Sequence, residues 1–69
     1  MYMESFGGRL KELRQERKLS VRQLAAELDM RHANISRWEN GKQEPTATNI
    51  IKLAKFFEVT AGYLLGTED

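Results

Sequence analysis

The sequence predicts an all-α domain, a compact bundle of five short helices. Apolar residues recur at helical spacing along the whole chain, hydroxyl residues stand where helices would begin, and glycine or proline stands where they would end. A chain of 69 residues is a single domain over 1–69 at the small end of the range that folds alone, where only about 60% of the unfolded surface is buried. There is no cysteine, so a hydrophobic core, expected over about 6–66, has to hold the fold without disulfides.

Phe6, Leu10 and Leu13 recur at i, i+4 and i+7 and define the first helix. Val21, Leu24, Ala25 and Leu28 define the second. Ser20 precedes that stripe with Gln23 three residues on, a pair whose side chains satisfy each other's free backbone N–H groups, so the second helix starts at Ser20. Its stripe ends at Leu28, and after a turn of about Asp29 to Arg31 a short third helix carries Ile35 and Trp38. Asn40-Gly41 stops it, with Gly41 suited to a left-handed cap. Pro45 blocks continuation, Thr46 caps a fourth helix with Ile50, Leu53, Ala54 and Phe57 on one stripe, and this helix runs to about Phe57. Thr60 caps a last short helix with Tyr63, Leu64 and Leu65, ended by Gly66. Met1 to Ser5 are expected to be a loose lead-in, with Phe6 the first anchored residue.

The net charge of +1 hides an uneven distribution. From Arg9 to Lys42 nine basic residues face five acidic ones, a local +4, while the remainder carries −3. A basic central stretch suits a polyanionic partner, although scattered charge of this size also fits an ordinary solvated surface. No apolar run approaches the ~20 residues that span a bilayer, and MYMESFGGRL lacks a basic region followed by an apolar one. The expectation is a cytoplasmic protein with no membrane partner. His32 is the sole histidine, and no phosphate-cradling glycine loop or metal-spaced cluster occurs. No metal, cofactor, small-molecule ligand or enzymatic activity is therefore expected.

Two short helices joined by a three- to four-residue turn form the unit whose second helix can enter a major groove ~12 Å wide. Residues 20–39 have this form, a helix-turn-helix. Ala25 is small where the two helices pass closely, and Leu24, Leu28, Ile35 and Trp38 fix the angle between them, a structural set. The outward residues of helix 32–39, namely His32, Ala33, Asn34, Ser36 and Arg37, mix donors, acceptors and one small apolar group, as base edges and phosphates require.

The ordered pieces Arg9-Leu-Lys-Glu-Leu-Arg14, Leu19-Ser20, Leu24-Ala25, Ile35-Ser36, Trp38-Glu39-Asn40-Gly41, Pro45-Thr46 and Lys52-Leu53-Ala54 resemble the phage repressor and Cro-like helix-turn-helix family, the lambda-repressor-like type of DNA-binding domain, over about residues 9 to 66. The resemblance implies sequence-specific binding of double-stranded DNA by a transcriptional regulator, most often a repressor, with helix 32–39 in the major groove. It implies base contacts from His32, Ala33 and Arg37, with Arg31 and Asn34 beside them. Arg37 can bond bidentately to guanine O6 and N7, worth roughly 1–3 kcal/mol of discrimination; a phosphate contact is its competing role, as it is for His32. Phosphate contacts are implied for Ser20, Arg22, Ser36, Asn40 and Lys42, with plain solvated cations the alternative for Arg22 and Lys42. Arg14 and Glu39 match positions that pair between the first and third helices, a structural salt bridge of small net value.

The chain departs from the family pattern at three places. Val21 stands where glutamine is usual, which removes a phosphate contact. Asp29 stands where glycine is typical, in a turn that often needs positive φ. Glu44 lies in the loop Gln43-Glu44-Pro45, where some relatives carry basic groups.

The implied mode of action is occupancy of a near-palindromic operator by two copies of the chain, with recognition helices about 34–36 Å apart, in a bacterial or phage-encoded protein associated with the nucleoid. Val59, Tyr63, Leu64 and Leu65 offer a patch for a weak homodimer, but closing the core over the first and fourth helices is the stronger use for them. The alternatives are an antitoxin or immunity-type regulator that also binds a protein partner, for which only Thr67-Glu68-Asp69 remain after Gly66, and the DNA-binding fragment of a longer repressor.

Overall fold

The computed structural model describes residues 4–68. Five helices follow one another: α1 (Glu4–Glu16), α2 (Val21–Leu28), α3 (His32–Glu39), α4 (Ala47–Phe57) and α5 (Ala61–Leu65), with no strand among the described residues. The lead-in is shorter than the sequence suggests. Met1 to Met3 lie outside the described residues, but Glu4 and Ser5 already belong to α1, because helical hydrogen bonds run back four residues and the amides of Gly8 and Arg9 take the Glu4 and Ser5 carbonyls as acceptors.

Local chemistry sets the helix starts. Gln23 N–H donates to Ser20 Oγ at 3.0 Å and Ser20 N–H to Gln23 Oε1 at 2.7 Å, a reciprocal cap. Thr46 Oγ1 accepts from Asn49 N–H at 3.2 Å, and Thr60 Oγ1 from Tyr63 N–H at 3.0 Å. The helix ends share one device. A left-handed residue, Lys18, Asp29, Gly41, Glu58 or Gly66, lets the next N–H turn back to a carbonyl five residues earlier: Leu19 to Arg14, Met30 to Ala25, Lys42 to Arg37, Val59 to Ala54 and Thr67 to Gly62. Leu19, Met30 and Val59 then pack against the core. Glycine marks two of these stops; the other three ends use non-glycine residues in a conformation that costs an L-residue roughly 1–2 kcal/mol.

Asp29 is exposed, at φ 54°. Asp29→Gly is expected to stabilise the domain by about 0.5–1 kcal/mol, after allowing for the larger backbone entropy glycine loses on folding. Thermal denaturation is the measurement, with Tm rising by roughly 2–8 °C for a domain of this size.

The core draws on every helix: Phe6 and Leu10 from α1, Leu24, Ala25 and Leu28 from α2, Ile35 and Trp38 from α3, Leu53, Ala54 and Phe57 from α4, and Leu64 from α5. Leu64 is fully buried, so α5 closes the core. Leu13 and Val21 are half-buried at its margin. Trp38 lies edge-on to Phe6, with ring centroids 6.2 Å apart. Its indole N–H has no acceptor among the described residues, a cost of about 1–3 kcal/mol, while burying an aromatic ring of ~200 Å² at ~25 cal/mol/Å² contributes about 5 kcal/mol. Packing therefore outweighs the lost hydrogen bond.

Arg9 ties α5 to α1. Its guanidinium sits 4.4 Å from the Tyr63 ring centre and donates to the carbonyls of Tyr63 at 2.8 Å and Glu68 at 3.1 Å. Glu68 in turn accepts from the Thr60 hydroxyl. No helix among the described residues is long and apolar enough to cross a membrane.

Candidate nucleic-acid interface

The turn from Asp29 to Arg31 joins α2 to α3, and apolar contact between Leu24, Ala25 and Leu28 on one helix and Ile35 and Trp38 on the other locks their crossing. Ala25 is only 4% exposed, so a larger side chain there would push the helices apart. The structural set therefore faces inward as a unit. His32 and Arg37 are exposed on the opposite side of α3, with Ala33, Asn34 and Ser36 half-buried beside them.

Arg22, Arg31, Arg37 and Lys42 are all exposed, and none makes a side-chain hydrogen bond or ion pair among the described residues. Four unneutralised cations thus flank the helix-turn-helix. A shallow open groove of about 480 Å³ brings some of them together: Arg22 from α2, Arg31 from the turn and His32 from α3 line it with Ala25, Ala26, Met30 and Ala33. Asn34, Ser36, Arg37, Asn40 and Lys42 lie outside this groove, further along α3 and just beyond it.

Two of the polar residues are partly occupied. The Asn40 amide donates to the Ser36 carbonyl at 2.8 Å and approaches the Ser36 hydroxyl at 3.5 Å, so it helps to close α3 and keeps only its carbonyl oxygen unengaged. Ser20 Oγ accepts from Gln23, yet its own proton remains available to an anion.

Arg14 and Glu39 form a bidentate ion pair, with Nε to Oε2 at 2.7 Å and Nη2 to Oε1 at 2.9 Å. Their side chains are 11% and 6% exposed. The hydrogen bonds to Glu39 raise the Arg14 pKa above its ordinary value, against a smaller opposing effect of burial. The guanidinium therefore keeps its charge throughout any pH range in which the domain is folded. It is the single salt bridge among the described residues, and it joins α1 to the last residue of α3.

The structure also shows what sequence patterns did not. Arg31 is the N-cap of α3 and makes no side-chain cap bond, and neither α2 nor α3 has an acidic residue in its first turn. Ser, Thr, Asp or Asn is normal at such a position, and a cation there opposes the helix dipole. The signal was legible in principle, since Arg31 directly precedes the third-helix pattern. Met30 and Ala26, which help to line the groove, had no signal in the sequence beyond their apolar nature.

The helix-turn-helix family model matches residues 10–64. Over 58 residues the chain is 50% identical to the HTH-type transcriptional repressor RghR of Bacillus subtilis (strain 168), covering 83% of this chain and 43% of that one. Over 66 residues it is 35% identical to the HTH-type transcriptional regulator DicA of Escherichia coli (strain K12), covering 94% and 49%. Among solved structures, the restriction-modification controller protein C.AhdI from Aeromonas hydrophila matches with a TM-score of 0.80 at 31% identity, over 90% of this chain and 94% of that one. The chain thus spans less than half the length of these two curated relatives and nearly all of the controller protein. Its α2 and α3 form the motif from which the family takes its name, and the chain belongs to the helix-turn-helix family, in its phage repressor and Cro-like branch.

Proposed function

We propose that this chain binds double-stranded DNA through α2 and α3, with α3 in the major groove, and represses transcription by occupying an operator. The observation that carries this reading is the start of α3. Arg31 caps the helix without a cap bond, beside His32, and shares a groove with Arg22 in the first turn of α2. A cation near a helix N-terminus costs about 0.3–1 kcal/mol, and forgoing a Ser or Asp cap costs about 1 kcal/mol more. A surface that places cations at two adjacent helix starts, and forgoes the cap at one of them, is adapted to a polyanion, and local rules are most often broken at functional sites. Repression is favoured over activation by the likeness to the repressor RghR, although an activator, BcrR of Enterococcus faecalis, is also 38% identical over 64 residues.

In this reading His32, Ala33, Asn34 and Arg37, with Arg31, meet base edges, while Ser20, Arg22, Ser36, Asn40 and Lys42 meet phosphates. One copy of the chain presents one recognition helix, α3, while the half-sites of a near-palindrome lie about 34–36 Å apart in successive major grooves. A near-palindromic operator therefore calls for two copies of the chain, and we assign DNA-templated regulation in the cytoplasm or nucleoid to that assembly.

Arg31→Asp tests the reading, because it separates stability from binding. The substitution supplies a capping carboxylate and a favourable dipole interaction, so Tm is expected to rise by roughly 4–8 °C for about 1 kcal/mol. Duplex affinity is expected to fall by about tenfold or more, through loss of a cation and gain of an anion within the negative field of the duplex. A variant that is more stable and binds duplexes as well as the wild type refutes the assignment. Selection of bound duplexes from a random pool then supplies the operator, and a symmetric site with half-sites one helical turn apart is the expected product.

A further inference from the structure

Three of the chain reversals end on an apolar residue that packs against the core: Leu19, Met30 and Val59. Met30 differs from the other two in chemistry and in place. Its N–H returns to the Ala25 carbonyl at 3.0 Å, which closes α2 and turns the chain toward α3. Its side chain is half-buried, packed on the core on one side and lining the open groove of Arg22, Arg31 and His32 on the other. Leucine or valine meets the packing requirement equally well, as at the other two reversals. Methionine adds a thioether, which peroxides oxidise, and the groove, at about 480 Å³, is far larger than a peroxide molecule.

We infer that Met30 is a modification site: hydrogen peroxide converts its thioether to a sulfoxide, and the sulfoxide weakens DNA binding by engaging the cations of the same groove. The inference rests on the DNA-binding reading. In the reaction the peroxide O–O bond breaks and an S–O bond forms; sulfur loses two electrons, one peroxide oxygen stays on it, and the other leaves as water with both protons. A thioether is a weak acceptor, whereas the sulfoxide is polar and its oxygen accepts hydrogen bonds well. Arg22 and Arg31 are exposed and make no side-chain hydrogen bond or ion pair among the described residues, and no carboxylate lines their groove. A new acceptor there meets guanidiniums with no competing partner, and a guanidinium held by the sulfoxide is withdrawn from phosphate. Loss of packing alone has a different signature: it lowers Tm and leaves the phosphate contacts, and with them the salt dependence of binding, as they were.

The test uses wild type, Met30→Leu and Met30→Gln, each before and after hydrogen peroxide, with peptide mass mapping to show which methionines have gained oxygen. Affinity for the selected operator and for a random duplex is measured at several salt concentrations. Met1 and Met3 are present in every variant, so Met30→Leu, a volume-conserving exchange of the kind cores tolerate best, isolates Met30. Oxidised wild type is expected to lose about five- to tenfold in affinity for both duplexes, with the slope of log affinity against log salt smaller by about one phosphate contact, and to recover both on treatment with methionine sulfoxide reductases. Met30→Leu is expected to bind as the wild type does and to ignore peroxide. Met30→Gln, whose amide carbonyl replaces the thioether with an acceptor at the same point of the side chain, is expected to bind more weakly with no oxidant present, and it decides the question if Met30→Leu does not fold. Oxidised wild type that carries the Met30 sulfoxide yet binds with unchanged affinity and slope overturns the inference, as do equal losses in oxidised Met30→Leu, a Met30 that stays unmodified while Met1 and Met3 oxidise, and a loss that reflects unfolding in circular dichroism. A reduced wild-type chain that binds no duplex overturns the DNA-binding reading and this inference with it.

Discussion

Gly7→Ala is expected to destabilise the domain by about 3 kcal/mol, at the upper end of the cost of overpacking a filled site, and to lower Tm by roughly 12–24 °C. Glycine inside a helix is ordinarily replaced by alanine with a gain of about 0.5–1 kcal/mol. At Gly7 the sign reverses because a Cβ would lie 2.6 Å from the Trp38 carbonyl oxygen and 2.8 Å from that of Glu39. Both obstacles are backbone at the C-terminal end of α3, so no side chain can rotate away, and α1 would have to lift from the recognition helix. Gly8 is the internal control: a Cβ there meets nothing within 4 Å, and Gly8→Ala is expected to raise Tm by roughly 2–8 °C for the ordinary gain. Thermal melts of the two variants side by side decide the matter. Two stabilised proteins would show that α1 does not need this close approach. DNA binding by the Gly7→Ala variant, measured below its lowered Tm, is expected to weaken as well, since the displaced segment carries Arg37, Asn40 and Lys42.

Arg37→Ala is expected to remove most of the preference for the selected operator over random duplex, by a factor of roughly 5–150, the equivalent of 1–3 kcal/mol for a bidentate contact to guanine. Binding to random duplex should change little, with its salt dependence reduced by at most about one contact. Arg37 is exposed and makes no described side-chain hydrogen bond or ion pair within the chain, so the substitution leaves the core intact and Tm should be unchanged within about 2 °C. Equal loss on operator and random duplex would place Arg37 on phosphate instead of on a base.

Much of this architecture was written locally. The stripes of Leu24, Ala25, Leu28, Ile35, Trp38, Leu53 and Phe57 name residues that are buried in the fold, and Ser20, Thr46 and Thr60 cap the helices that follow them. Such features are legible because helical periodicity and cap hydrogen bonds span four residues or fewer. The third-helix boundaries, 32–39, followed from the same logic. The end of α4 at Phe57 followed as well, but the left-handed turns at Lys18 and Glu58 were not legible, because any residue can take one when the hydrophobic residue after it, here Leu19 or Val59, has a core to enter.

The candidate interface divides in the same way. Helical spacing alone put His32, Ala33, Asn34, Ser36 and Arg37 together on the outer side of α3. That Arg22 shares a groove with Arg31 and His32, that the Asn40 amide turns back onto Ser36, and that Gly7 admits the end of α3 all depend on contacts between segments far apart in sequence or on the choice among several local partners. By itself the sequence determined the five helices, their caps and the motif formed by the second and third, since each is a matter of neighbouring residues. Only the tertiary structure decided where those helices stand relative to one another. The register of α2 and α3 comes from the shape of the core and from one arginine on α1 that reaches a carboxylate 25 residues away and a carbonyl 5 residues away, and no local pattern encodes a distance of that kind.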